Sequence, residues 1–198
     1  MPEGTDDRLA AQFAFLNEAD RLKSVLRATT LADGSRRENS AEHSWHIALY
    51  AMVLADHAAP GVDPVRVLQM LVLHDLVEID VGDVPIHSAN GQAHGSEATL
   101  AAEAAAARRL FGLLPPDLAG AFHALWQEFE TAETPDAIFA KSLDRVQPVM
   151  ANLLSGGGTW KEYSVTLDQL DSRVGTRIAR GAPGVWTWVR NQILPVFR

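Results

Sequence analysis

Apolar residues recur at helical spacing along most of the chain. Phe13, Leu16, Ala19, Leu22 and Leu26 keep one face and predict a first helix, ended by the polar stretch Asp33-Gly34-Ser35-Arg36-Arg37. Asn39 followed three residues later by Glu42 has the form of a capping box, so a second helix is expected from about Ser40 to Ala58, before Pro60-Gly61. Asp63-Pro64 offers an N-cap and an N1 proline to a third. This third helix is apolar on nearly every side, from Val65 and Val67 through Leu71 to Leu76 and Val77, which places it at the centre of a fold. The stretch from Val81 to Gly95 has no period and contains Gly82, Pro85, Asn90 and Gly91; loops this long in compact folds are often functional. Ser96 then caps an alanine-rich helix to Phe111, Pro115-Pro116 opens another to Phe129, and Thr134-Pro135 opens one to Leu154, broken by Gly156-Gly157-Gly158. Two further helices are expected over 160–180 and 183–194. No strand alternation stands out, since Val77–Val81 alternates but continues a strong helix. The expectation is an all-α helical bundle without repeats or linkers. It reads as one domain over 1–198, with a core at about 13–155 and C-terminal helices 160–194 packed on it.

Composition narrows the functional classes. A chain of 198 residues buries roughly 70% of its unfolded surface and needs no disulfide or structural metal to fold. Lys+Arg at 17 against Asp+Glu at 25 gives a net charge of -8, which argues against general nucleic-acid binding. It leaves room for a small anion held by one local cation or a metal. With no cysteine, thiolate nucleophiles and cysteine-based zinc sites are excluded. No apolar run reaches about 18 residues, so no membrane span is expected. The acidic start Met1-Pro2-Glu3-Gly4-Thr5-Asp6-Asp7 is the reverse of a secretory leader, and a cytoplasmic location is the expectation.

The third helix carries a contradiction that calls for chemistry. His74, Asp75 and Glu78 sit among Leu71, Val72, Leu73, Leu76 and Val77, whose apolarity predicts burial. A buried carboxylate without a partner costs several kcal/mol, so such groups are normally paired or metal-bound. In a regular helix His74 and Glu78 share a face, with Asp75 about 100° round. One such residue alone is more often satisfied by a neighbouring helix; three together favour a functional site. His43, in the first turn of the second helix, offers a second imidazole, and Asp144 interrupts the apolar face Ile138, Phe139, Leu143, Val146. Lys141 or Arg145 would be the bland partner for Asp144.

His43, then His74-Asp75, then Asp144, spread over three helices, resembles the HD-domain metal-dependent phosphohydrolases. The segments Arg37-Glu38-Asn39-Ser40-Ala41-Glu42-His43-Ser44, His74-Asp75-Leu76-Val77-Glu78 and Val81-Gly82-Asp83-Val84-Pro85 are similar to the small branch typified by 5'-deoxynucleotidases, over about residues 13–155. The resemblance implies that His43, His74, Asp75 and Asp144 hold one divalent metal, and two imidazoles with two carboxylates suit Mn, Co, Fe or Zn better than Mg. It assigns Glu78 and Asp83 to orienting the attacking water and moving its proton, and Arg27 to gripping the substrate phosphate. It implies a phosphomonoester hydrolase releasing phosphate from nucleoside 5'-monophosphates, and a homodimer. One departure stands out: the deoxynucleotidases follow the phosphate arginine with a tryptophan that crowds the sugar, whereas this chain has Ala28, which puts a preference for deoxyribose in question. Another phosphoester, such as a signalling nucleotide, a nucleoside triphosphate or a metabolite phosphate, is the nearer alternative. A non-catalytic metal- or nucleotide-binding protein is the more distant one. His87, His94 and His123 have no spacing that argues for a second metal.

Overall fold

A computed structural model describes residues 3–197; Met1 and Pro2 of the acidic start, and Arg198, lie outside the described residues. The chain order is α1 (Glu3–Ala19), β1 (Leu26–Thr30), β2 (Arg37–Asn39), α2 (Ser40–Val53), α3 (Pro64–Leu73), α4 (Glu78–Val81) and α5 (Glu97–Phe111). It continues with α6 (Pro116–Thr131), α7 (Pro135–Leu154), α8 (Gly158–Glu162), α9 (Leu167–Leu170), α10 (Thr176–Gly181) and α11 (Pro183–Ile193). The fold is all-α apart from one small hairpin.

The helix starts obey local chemistry. Asn39 Oδ1 accepts from the Glu42 N–H at 2.9 Å, while Glu42 Oε2 accepts from the Asn39 N–H at 3.1 Å, a reciprocal capping box that fixes the start of α2. Asp63, Ser96 and Thr134 cap α3, α5 and α7 through their side chains. Gly156, Gly157 and Gly158 all take positive φ and end α7. α2 stops at Val53, with a short 3-10 turn over Ala55–His57 in place of its expected last turn.

Two apolar clusters build the interior. Ile47 and Ala51 of α2, Val67, Met70 and Leu71 of α3, and Phe139, Leu143 and Val146 of α7 meet Leu170, Val174, Ile178, Val185 and Ile193 from the C-terminal helices. Phe15, Leu22, Leu76, Val77, Leu110, Phe111 and Trp126 form the other. α10 rests directly on α7: a Cβ on Gly181 would stand 2.3 Å from Ser142 Oγ and 2.6 Å from the Ile138 carbonyl oxygen, so only glycine allows this approach.

Three sequence expectations are corrected. The first helix ends at Ala19 and, after a 3-10 turn over Asp20–Ser24, gives way to a strand rather than running to Leu26. Its buried side is also offset, with Phe15 inside and Phe13 and Leu16 exposed. In β1 the burial inverts the helical reading: Leu26 faces solvent, whereas Arg27, Ala28 and Thr29 are buried. A β-branched threonine pair favours the extended chain, and pairing with β2 (Leu26 opposite Asn39, Thr30 opposite Arg37) supplies its hydrogen bonds. The third helix changes winding at its functional end, tightening to a 3-10 turn over His74–Val77 before α4. The expected helix over 160–180 is divided among α8, α9, a π turn at Asp171–Gly175, and α10.

Candidate metal centre

α2, the 3-10 turn after α3, and α7 each deliver part of one cluster. His43, His74 and Asp75 bring ligand atoms within 4.8 Å of one another, and could hold a metal ion. Asp144 Oδ1 joins them, 3.1 Å from His43 Nε2 and 3.6 Å from His74 Nε2. Asp75 Oδ1 lies 2.8 Å from His74 Nε2, and its Oδ2 lies 4.0 Å from His43 Nε2. All four residues are buried, at 0–8% exposure.

The far side of each imidazole explains why its Nε2 points inward. His43 Nδ1 lies 2.9 Å from Gln147 Oε1, and His74 Nδ1 lies 2.9 Å from the Leu71 carbonyl oxygen. Both partners are acceptors, so each Nδ1 carries a proton, and the tautomer that a metal would require, with the Nε2 lone pair toward the cluster, is the one these contacts favour. Gln147 Nε2 in turn donates to Glu38 Oε1 at 2.8 Å. Gln147 and Glu38 were given no role by the sequence reasoning. The available signal was that Gln147 follows Asp144 by three residues on α7, and so stands on the same face.

The residues present fit a metal. His74 Nε2 is buried and has no hydrogen-bond partner, although two carboxylates stand beside it. Burial draws the His74 pKa down, but Asp75 and Asp144 more than offset it and hold the imidazolium up to about 10. Burial opposes ionisation of Asp75, yet His74 and Arg27 hold it below the usual carboxylate range. Asp144 likewise stays well below, against its burial, through Arg145, His43 and His74. A donor set of two imidazole nitrogens and two ionised carboxylates, drawing a positive charge into a buried site, is what a divalent cation satisfies.

The change in winding places the remaining carboxylates. In a regular α-helix Glu78 would stack over His74. In a 3-10 turn residues three apart eclipse, so Glu78 aligns with Asp75 instead. Both meet Arg27, whose Nη1 donates to Asp75 Oδ2 at 2.8 Å and lies 3.7 Å from Glu78 Oε1. Asp83 Oδ1 is 3.7 Å from the same nitrogen, and Glu38 Oε2 is 3.7 Å from Arg27 Nε. Arg27 therefore stands inside a ring of four carboxylates, beside the metal cluster. Burial first, then the charge of Asp75, pushes Glu78 well above its ordinary range, and Ser40 Oγ donates to Glu78 Oε2 at 2.5 Å. Asp83 Oδ2 accepts from the Ala28 N–H at 3.1 Å, tying the loop after α4 to β1.

These groups open into a cavity of 300 Å³, large enough for a small organic ligand. Arg27, Ala28, Asp75, Glu78 and Asp83 line it, as do Lys141, Arg145 and Arg177 with Glu103 and Glu130. His87 and His94 also face it but stand outside the metal cluster.

The HD-domain family model matches residues 19–186. The chain belongs to the HD-domain family. Among its relatives, human 5'-deoxynucleotidase HDDC2 is 29% identical over 137 residues, covering 69% of this chain and 64% of the human protein. The fission yeast 5'-deoxynucleotidase hdd1 is 28% identical over 136 residues, 68% of this chain and 67% of that one. This chain thus spans a little under two thirds of the human relative. A crystal structure described as a predicted metal-dependent phosphohydrolase from Magnetospirillum magnetotacticum MS-1 superposes on this HD-domain chain with a TM-score of 0.88. It is 47% identical, covering 96% of this chain and 95% of that one.

Proposed function

We propose that this HD-domain protein is a metal-dependent phosphohydrolase that releases phosphate from nucleoside 5'-monophosphates, with His43, His74, Asp75 and Asp144 as its metal ligands. The observation that carries the reading is the meeting of these four side chains from three helices, with an orphaned imidazole nitrogen at their centre and a buried arginine against one carboxylate. Its relatives named 5'-deoxynucleotidases and metal-dependent phosphohydrolase support the reaction class.

A divalent ion held there would polarise the phosphoryl group and acidify a bound water, and the mixed nitrogen and oxygen donors suit Mn, Co, Fe or Zn better than Mg. Arg27 presents a planar, permanently charged fork to the phosphate oxygens, and its ring of carboxylates holds it in place until an anion competes for it. Glu78, whose carboxyl takes a proton readily, accepts the proton of the attacking water at Oε1, the oxygen facing Arg27; Asp83 orients the water from across that nitrogen. Ala28 leaves room beside Arg27 for a ribose 2'-hydroxyl, which favours a broader sugar range than that of the deoxynucleotidases.

We read the chain as one domain, since Leu125 packs against both apolar clusters. We also read it as a homodimer in the cytoplasm. Trp45, Leu49, Met52 and Val53 leave an apolar stripe exposed on α2, with Leu154 also exposed at the end of α7, and such stripes mark contact surfaces. Sedimentation of wild type and Met52→Glu tests the pairing: a dimer that the substitution splits supports it, and a monomeric wild type removes it.

The reaction is tested by stripping metal from the protein and measuring phosphate release from deoxy- and ribonucleoside mono-, di- and triphosphates, with Mn, Co, Zn or Mg restored singly. Metal-dependent release from monophosphates, abolished by Asp75→Asn, is expected. Metal bound tightly with no turnover of any ester would leave only a binding protein.

A further inference from the structure

The cavity is lined by a second set of cations that metal and reacting phosphate leave unused. Four cationic side chains stand in or near it, and two are already engaged. Lys141 Nζ pairs with Glu130 Oε1 at 3.0 Å and lies 4.1 Å from the centre of the Phe129 ring. Arg173 Nη2 donates to Asn90 Oδ1 at 2.7 Å.

Arg145 and Arg177 are different. Arg145 is nine-tenths buried; its Nη2 donates to His94 Nε2 at 2.9 Å, and His94 Nδ1 is fixed by the Val84 carbonyl oxygen at 3.1 Å. Burial, then the neighbouring Arg145, brings the His94 pKa down to about 4, so this contact brings no negative charge to the guanidinium. Arg145 Nε has no hydrogen-bond partner, and the nearest carboxylate oxygen, Asp144 Oδ2, is 3.6 Å away on a group already committed to the metal cluster. Arg177 faces the cavity from its open rim on α10, and among the described residues no side-chain hydrogen bond or ion pair engages it. Partial burial and the charge of Arg145 both loosen its proton. Both guanidinium groups thus face one cavity, which Glu103 and Glu130 also line without an ion pair to either among the described residues, next to a buried His87 whose Nδ1 is also unpartnered.

Like charges gathered in a partly desolvated cavity repel, and a bound anion relieves them. The two planar forks suit a tetrahedral oxyanion better than a single cation would. Because they share one cavity with Arg27 and Asp75, a single molecule can present one anion to each. Resting on the hydrolase reading above, we infer that the preferred substrate carries a second phosphate, bound by Arg145 and Arg177 while the first is cleaved. A nucleoside 3',5'-bisphosphate is the simplest member of this class.

The probes are 2'-deoxyadenosine 5'-monophosphate and 2'-deoxyadenosine 3',5'-bisphosphate, with the metal-loaded enzyme. The wild type is expected to show a KM about tenfold lower for the bisphosphate, a charge-assisted contact being worth at least that much. Arg177→Gln, at the rim and away from the metal cluster, should raise the bisphosphate KM about tenfold with kcat and the monophosphate KM unchanged, and Arg177→Lys should recover part of the loss. Equal KM values in the wild type, or an equal change for both substrates in the variant, overturn the inference. Calorimetric binding of the bisphosphate separates the two readings. Tighter binding that depends on Arg177, without phosphate release from either compound, supports the second subsite and removes the hydrolase. Release from the monophosphate with no Arg177-dependent preference removes the subsite and keeps the hydrolase.

Discussion

Gln147→Leu tests the centre through a residue that would touch no metal. The Gln147 side chain is nearly fully buried, accepts from His43 Nδ1 at 2.9 Å, donates to Glu38 Oε1 at 2.8 Å, and lies 3.3 Å from His46 Nδ1. Leucine fills a similar volume, so loss of packing is minor, but it leaves the His43 N–H and a Glu38 oxygen without partners. Each unsatisfied buried group costs about 1–3 kcal/mol. The imidazole is also freed to rotate or to place its proton on Nε2, which removes the lone pair that the cluster needs. Loss of such an outer contact typically lowers metal affinity about 10–100-fold, or roughly 1.4–2.8 kcal/mol at about 1.4 kcal/mol per decade. Competition with a chromophoric chelator, using the metal-stripped protein and Mn or Zn, measures the affinity directly. Circular dichroism and thermal melting check that the helices persist. A variant that folds and binds metal within twofold of wild type would refute the claim that Gln147 sets the His43 tautomer and orientation.

Other perturbations probe separate links. Ala28→Trp narrows the wall beside Arg27; the ratio of kcat/KM for deoxy over ribonucleoside monophosphates is expected to rise about tenfold, and an unchanged ratio would show that position 28 does not face the sugar. Gly181→Ala drives a Cβ into the Ile138 carbonyl oxygen, and overpacking of this kind should cost about 1–3 kcal/mol in denaturant unfolding. Glu103 lines the same cavity, and burial, then the charge of Glu130, pushes its pKa up to about 7. A carboxyl raised in the folded state binds more protons than in the unfolded one, so its contribution is complete below about pH 4.5 and is lost as pH rises to 7. Glu103→Gln should therefore raise the melting temperature above pH 7 and leave it unchanged at pH 4. Screening at this half-exposed position limits the gain to roughly 1 kcal/mol.

The helices were legible where local chemistry speaks loudly. Asn39 with Glu42, Asp63-Pro64 and Thr134-Pro135 are caps whose donors and acceptors lie within three residues, and the starts of α2, α3 and α7 fall where they indicate. The polar triplet His74, Asp75, Glu78 was visible because burial of such groups among leucines demands a reason. The hairpin was not visible: β1 is five residues long, alternates poorly, and buries an arginine while exposing Leu26, so its pairing is set by long-range partners rather than by its own pattern. Nor could the tightened turn over His74–Val77 be read from periodicity, because one turn of 3-10 winding leaves no trace in an apolar run. Its effect is to join Glu78 to Asp75 and Arg27. Gln147 and Glu38 belong to contacts separated by more than a hundred residues, and only the assembled core reveals them.

The π turn at Asp171–Gly175 sets which side chains of one segment line the cavity. Such a turn is equivalent to one extra residue in an α-helix, so everything after it is rotated by about 100° relative to an uninterrupted helix. Leu170 and Val174 face the cavity from before and within this turn, and Arg177 faces it from beyond. Loss of a single residue here would turn Arg177 away from the cavity, and with it Ile178 and the Gly181 face by which α10 rests on α7. The cavity wall and the helix that carries Asp144 are therefore mechanically linked: a one-codon deletion in this short segment would be felt at both.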